Sequence, residues 1–238
     1  MNYLSCRIAR VTMLNPESMK RTAIRTCLVL FLLVAGAAKA HEGTAEVSFD
    51  GLVKLQRGLF KESWVDMDVD FSQYTKIIPI DPYFEFRAVK RTSSQAARNS
   101  NQRKFYISDS NRERLIETVS AIFAEELAKS EHFTIVDEPG PDVMILRGGV
   151  FDIVSRVPPD QVGRNEVYLS SVGEGTLVLE LRDSLSLETI YRGVERRAAQ
   201  QSATGMRRSN TVTNWAEVRR LARRWAVKAR EGLDAIHN

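Results

Sequence analysis

The chain has 238 residues, with 34 Lys and Arg against 30 Asp and Glu and a formal net charge of +4. Six of the basic residues (Arg7, Arg10, Lys20, Arg21, Arg25, Lys39) and one acid (Glu17) precede residue 41, so the rest carries 28 basic against 29 acidic side chains and lacks the positive excess of a nucleic-acid binder. Both cysteines, Cys6 and Cys27, lie in that same stretch, so the 198 residues after position 40 hold no thiol and must be stabilised by a core alone, which one domain of this length can bury.

Met19-Lys20-Arg21, the apolar run from Cys27 to Ala38 and the triplet Ala38-Lys39-Ala40 follow the order of a secretory signal peptide: basic start, short hydrophobic segment, small-x-small cleavage site. The apolar run is shorter than the roughly 20 residues that cross a bilayer. Cleavage is expected between Ala40 and His41, with export to the periplasm. Residues 1–18 are polar and contain Pro16, so translation is expected to start at Met19 and residues 1–40 to form an over-extended signal. Cys27 opens the apolar run instead of following a small-residue triplet, which argues against a lipid anchor.

Residues 41–61 are mixed and weakly patterned and read as a flexible leader before a single domain over 62–238. Thr75 to Phe86 is rich in β-branched and aromatic residues, and Pro79 and Pro82 confine it to an edge or bulged strand. Arg91 to Lys104 is a polar basic loop without apolar periodicity. Ser110 and Glu113 have the spacing of a capping box, and Leu115, Ile116, Val119, Ile122, Phe123 and Leu127 then repeat at helical spacing to about Lys129. Phe133 to Val136 reads as a short strand and Glu138-Pro139-Gly140-Pro141 as a turn. Val143 to Val154 is apolar on both faces, the pattern of a central strand, with a bulge expected at Gly148-Gly149.

After a long loop from Pro158 to Gly173, Leu177, Leu179 and Leu181 alternate with Thr176, Glu180 and Arg182. That alternation predicts a strand with one side on the core. Asp183 to Ser186 turns the chain into a partner strand, Glu188 to Arg197. A second polar loop, Gln200 to Thr213, leads to a closing helix whose stripe is Trp215, Val218, Ala222, Trp225, Ala229, Leu233 and Ile236. The order predicts an α+β domain: a largely antiparallel sheet of about five strands with two helices packed on one face.

The segments FSQYTKIIPIDP, DEPGPDVMILRGGVFDI, VGEGTLVLELRDSLSLETIYRGVERR and the Trp-containing closing helix resemble the bacterial cell-envelope proteins grouped as domain-of-unknown-function family 3313, from about Gly51 to Leu233. DEPGPDV, Asp137 to Val143, is the most specific part. The resemblance implies an exported bacterial protein and supplies no catalytic residue. This chain departs from it in lacking the lipoprotein Cys of many members, and in having Leu187 where a Gly usually stands near the hairpin turn.

Candidate sites are few. Of the three histidines, His41, His132 and His237, His41 at a cleaved N-terminus would offer an amine and an imidazole to copper, but a brace needs one further His, and a His left on an untethered terminal tail is the simpler account. Asp66, Asp68 and Asp70 alternate, yet Phe71 and Ile77 stand where a calcium loop needs Gly and Glu, so a solvated turn explains them better. Glu125 and Glu126 are adjacent in mid-helix, where neighbouring side chains diverge and a solvated face is the ordinary explanation. No Ser lies in Gly-x-Ser-x-Gly, and no catalytic residue, cofactor site or metal site is assigned. From Arg192 to Arg230 eleven basic residues face only Glu195 and Glu217. Within the closing helix Arg219, Arg220, Arg223 and Arg224 point away from the Trp stripe, a face suited to anionic lipid, lipopolysaccharide phosphates or an acidic protein partner. The leading expectation is a non-enzymatic, envelope-associated binding domain; the alternative is a small-molecule or metal-binding periplasmic protein using the cleft beside the 91–104 loop.

Overall fold

The strict alternation of Leu177, Leu179 and Leu181 places these three in the core, and the strand that carries them is the middle of the structure. A computed structural model of the chain describes residues 45–90, 104–158, 166–200 and 205–235. Residues 45–238 cluster as one compact unit. The signal segment, its Ala40–His41 cleavage site, the body of the 91–104 loop, Ile236 and His237 lie outside the described residues.

The strands are β1 (Val53–Lys54), β2 (Glu62–Val65), β3 (Lys76–Pro79), β4 (Tyr83–Phe86), β5 (Thr134–Ile135), β6 (Val143–Ser155), β7 (Tyr168–Leu169), β8 (Ser171–Asp183), β9 (Thr189–Gln200) and β10 (Arg207–Arg208). The helices are α1 (Asp109–Leu127) and α2 (Thr211–Ala235). Eight strands form one sheet in the order β1-β2-β9-β8-β6-β3-β5, with β4 also on β6, while β7 and β10 pair separately. The long strands β6, β8 and β9 are antiparallel, as the hairpin pattern predicts.

The expectation of a largely antiparallel, five-stranded sheet is corrected. β3 and β4 both run parallel to β6, and β5 runs parallel to β3, so the sheet is mixed. The physical reason is the connection: the chain leaves β4, crosses through α1 and re-enters at β5 and β6, and such a crossover delivers a strand in the same direction. Strands of two to four residues carry too little alternation to be counted from sequence. Thr75 to Phe86 accordingly splits at Ile80-Asp81-Pro82 into β3 and β4, which lie end to end along one side of β6.

Three local expectations are also corrected. Residues 45–61 are not a loose leader, because Val47 bridges Val53 and both Leu52 and Phe60 are buried. α1 begins at Asp109 with Ser108 as its N-cap, two residues before the Ser110–Glu113 box would start it. The register of β6 on β8 runs unbroken through Gly148-Gly149 and shifts instead between Phe151 and Val154, where Asp152 has φ 53. The glycines serve close approach: a Cβ on Gly149 would lie 2.6 Å from the Tyr83 carbonyl oxygen of β4.

Both helices contribute to one core with the inner face of the sheet: Val119, Ile122 and Leu127 from α1, Ala222, Trp225, Ala226, Ala229 and Leu233 from α2, and Met144, Leu146, Leu177, Leu179 and Leu181 from the strands. The helices run parallel. The Arg114 guanidinium sits 4.4 Å from the Trp215 ring centre near their starts, and Ser130 Oγ donates to Asp234 at 2.6 Å near their ends.

The sheet therefore has two distinct ends. At the turn end, Ser184 Oγ donates to the Gly140 carbonyl at 2.8 Å and accepts the Gly140 N–H, so the Pro139-Gly140-Pro141 turn clasps the β8–β9 hairpin. Asp183 caps that hairpin through the Leu185 and Ser186 amides, and Leu187 takes φ 64, the left-handed conformation that costs a non-Gly residue about 1 kcal/mol. At the open end lie the starts of both helices, β7 and β10.

Candidate functional site

The four arginines singled out in the closing helix are all exposed, because the side of α2 opposite them is committed to Ala222, Trp225, Ala229 and Leu233. They are not equivalent. Arg220 binds the buried carboxylate of Glu217, and Arg223 lies 3.9 Å from both Glu125 and Glu126 of α1. Arg219 and Arg224 have no ion-pair partner among the described residues.

Glu126 departs from the solvated helix face expected of it. It is buried, and Lys129 Nζ holds it at 2.9 Å while also reaching Glu125 at 3.0 Å. The Lys129 ammonium in turn holds the Glu125 carboxyl below its ordinary pKa. Glu217 and Glu195 are likewise buried; Glu195 is bound by Arg197 at 2.7 Å and by Lys228 at 3.1 Å. Each buried carboxylate of the helix layer thus has a cation on it, as its low exposure requires.

The remaining arginines of the Arg192–Arg230 region serve a different surface. The register pairs Glu180 with Arg192 and Thr176 with Arg196, so these side chains share the sheet face that points away from the helices. Two ladders cross it. In one, Asp50, Arg192, Glu180 and Arg182 alternate, with Arg192 at 2.9 Å and Arg182 at 2.8 Å from Glu180. In the other, Arg87 and Arg196 grip Asp152, and Arg196 and Arg156 each lie 2.9 Å from Glu174.

The titration of these acids records the same pairing. The Arg87 guanidinium, helped by Arg196, holds the Asp152 carboxyl below the usual carboxylate range. Burial pushes Glu174 and Glu180 upward, but Arg156 and Arg196 on the first and Arg182 and Arg192 on the second more than offset it, and both end low. Asp152 is also the positive-φ residue of the β6 bulge. Its two arginines therefore fix a strained backbone position as well as a charge.

In the sequence Arg192 and Arg196 look like surplus charge because most of their partners are distant in the chain. The signal that finds half of the pairing is present: with the turn placed at Asp183 to Ser186, Glu180 falls opposite Arg192. Arg87 and Asp152 follow only from the parallel strand β4 and the bulge, and Asp50 only from the docking of the β1–β2 edge on β9.

Asp66 and Asp70 are engaged in local turns. Asp66 accepts the Asp68 amide at 2.9 Å, and Asp70 caps a short helical turn, Phe71–Gln73, through Ser72. Among the described residues no three His, Cys, Asp or Glu side chains converge as metal ligands, and no helix is long and apolar enough to cross a membrane. A cleft of about 540 Å³ at the open end is lined by Arg156, Ser170, Ser171, Ala198, Gln200, Gly205 and Met206. It is bounded by β8 and β9, not by residues of α2.

The architecture is that of an α+β domain with a mixed sheet, two parallel helices on one face and an ion-paired second face. The model of a family described as a protein of unknown function, DUF3313, matches residues 41–229, and the chain belongs to that family. No curated protein sequence matches it. Among solved structures, a neuraminyllactose-binding hemagglutinin homologue from Helicobacter pylori is similar at 12% identity and a TM-score of 0.38, covering 68% of this chain and 87% of that one. PelC from Paraburkholderia phytofirmans, solved as a dodecamer, is similar at 11% identity and a TM-score of 0.34, covering 74% and 98%. Protein XCC0632 from Xanthomonas campestris, assigned to DUF330, is similar at 12% identity and a TM-score of 0.36, covering 70% and 86%.

Proposed function

We propose that this chain is an exported, non-enzymatic domain of the bacterial cell envelope that contacts an anionic lipid surface through the outward face of α2. Arg219 and Arg224 supply the attraction, with Arg220 and Arg223 beside them partly neutralised by Glu217, Glu125 and Glu126. The observation that carries the reading is the contrast within one helix: exposed arginines with and without a carboxylate partner among the described residues. A guanidinium with no internal partner is free to meet phosphate bidentately. The basic start, short apolar run and Ala38-x-Ala40 support delivery to the periplasm through a cleaved signal.

Co-sedimentation with anionic and with neutral vesicles tests the contact. Each juxtamembrane arginine is worth about 1 kcal/mol on an anionic surface, so Arg219→Gln with Arg224→Gln should weaken anionic-vesicle binding by about tenfold or more, and raised salt should mimic the change. Lipopolysaccharide micelles form a parallel arm that separates headgroup sources. Equal binding by the variant, or none by the parent at low salt, overturns the reading and leaves an acidic protein partner for that face. Export is checked separately by intact mass, with His41 expected as the first residue; a mature chain retaining Cys27 overturns that half.

A further inference from the structure

The domain is electrically polarised along its strands. At the turn end, Asp68, Asp70, Asp137, Glu138 and Glu188 are exposed around the clasped hairpin. Tyr74 lies among them, its hydroxyl 3.0 Å from Asp183, and burial together with that carboxylate pushes its pKa up to about 12. At the open end Lys104, Arg114, Arg207 and Arg208 are exposed, the last paired with Glu166 at 3.2 Å, beside the exposed acids Asp109 and Glu113 in the first turns of α1. The helices add to this. Both begin at the open end and finish near the turn end, so their positive N-termini and negative C-termini reinforce the side chains instead of cancelling.

Each end also exposes large apolar side chains. Leu185 and Leu187 stand 62% and 57% exposed on the hairpin turn, held rigid by Asp183 and Ser184. Met206, Val212 and Tyr168 are exposed at the open end, where Tyr168 lies opposite Arg208 in the β7–β10 register.

We propose that copies of this chain associate head to tail, the acidic turn end of one docking on the basic open end of the next. Charge complementarity selects a second copy as the occupant. The residues after position 40 are close to neutral as a whole, so the two ends repel their own kind and attract each other. The exposed leucines at one end and Met206, Val212 and Tyr168 at the other give the contact an apolar centre inside a charged rim. An interface of this kind is heterologous, so it leaves an unused acidic end and an unused basic end on every pair and continues into a ring or a filament. It goes beyond the anionic-surface reading and does not use Arg219, Arg220, Arg223 or Arg224.

Sedimentation velocity of the purified chain over a range of concentrations tests it. Assembly should be present at about 0.02 M salt and at least about tenfold weaker at about 0.5 M, where the screening length shrinks to a few ångströms. The triple variant Asp137→Lys, Glu138→Lys, Glu188→Lys and the triple variant Lys104→Glu, Arg207→Glu, Arg208→Glu should each be monomeric alone, and an equimolar mixture should assemble because it restores one native pair of ends. A parent that stays monomeric at low salt, a variant that assembles alone as the parent does, or a silent mixture overturns the proposal. Should one variant fail to fold, the salt response of the parent still decides. Vesicle binding by the two variants, whose α2 arginines are intact, separates this outcome from that of the lipid contact.

Discussion

Arg192 and Arg196 on the sheet and Arg219 and Arg224 on α2 belong to the same basic stretch of sequence, yet the fold treats them in opposite ways. The first pair is drawn into ladders with Asp50, Glu180, Asp152 and Glu174, whereas the second faces solvent with no carboxylate partner among the described residues. Charge density in sequence therefore does not measure charge available for binding. What decides is whether neighbouring elements bring acids within reach: the strands do so for Arg192 and Arg196 and α1 does so for Arg223, but among the described residues none reaches Arg219 or Arg224. The sheet arginines are consequently tied to the fold, whereas Arg219 and Arg224 present their charge to solvent.

The sharpest test of that division removes the apolar side of α2. Trp225 is 3% exposed and sits in the core with Ala222, Ala226 and Leu233. Trp225→Ala should cost about 3–5 kcal/mol and lower Tm by many degrees in a thermal melt. A small effect would mean that the arginines, not the Trp stripe, hold the helix.

Breaking a ladder should cost less. Arg192→Met keeps the aliphatic bulk but strips Asp50 and Glu180 of their shared cation, leaving Glu180 about four-fifths buried with Arg182 alone. The loss expected in urea titration is about 1–3 kcal/mol. Acid offers a milder version. The carboxyls of Asp50, Asp152, Glu174 and Glu180 are all held below their ordinary values of 3.8 and 4.5, so their contribution is complete above those values and drains away as pH falls through the lower folded-state values. Parent stability should decline below about pH 4.5, and Arg192→Met should flatten the part of that decline due to Asp50 and Glu180.

These ladders also mark where sequence reading stops. The β8–β9 hairpin, α1, α2 and the core positions Val119, Ile122, Leu177, Leu179, Trp225 and Leu233 are legible because each repeats with the period of its element over several turns or strand pairs. The parallel pairing of β3 and β4 with β6 is not, since four residues interrupted by Pro79 and Pro82 state neither direction nor neighbour. Gly148-Gly149 suggests a bulge because glycine is its usual sign, but the shift occurs at Asp152, where two arginines compensate for a conformation that glycine would adopt freely. At α2 the exposure of all four arginines follows from spacing alone. The difference among them does not, because Glu125 and Glu126 approach Arg223 from another helix.

The smallest expected effect on stability is the one that gives the comparison its meaning. Arg219→Gln with Arg224→Gln removes two charges that touch no carboxylate among the described residues, keeps good helix formers at both positions and leaves the Trp225 side intact. Stability in urea should move by no more than about 0.5 kcal/mol, the ordinary range for surface substitutions. A gain is more in keeping with the structure than a loss, because Arg220 and Arg223 lie alongside and like charges at helical spacing repel by a few tenths of a kcal/mol. If this variant is instead as damaged as Arg192→Met, the two arginines have structural partners and the distinction between bound and free cations fails. If it is neutral in urea but impaired on anionic vesicles, the same two residues are shown to be kept for a contact outside the chain.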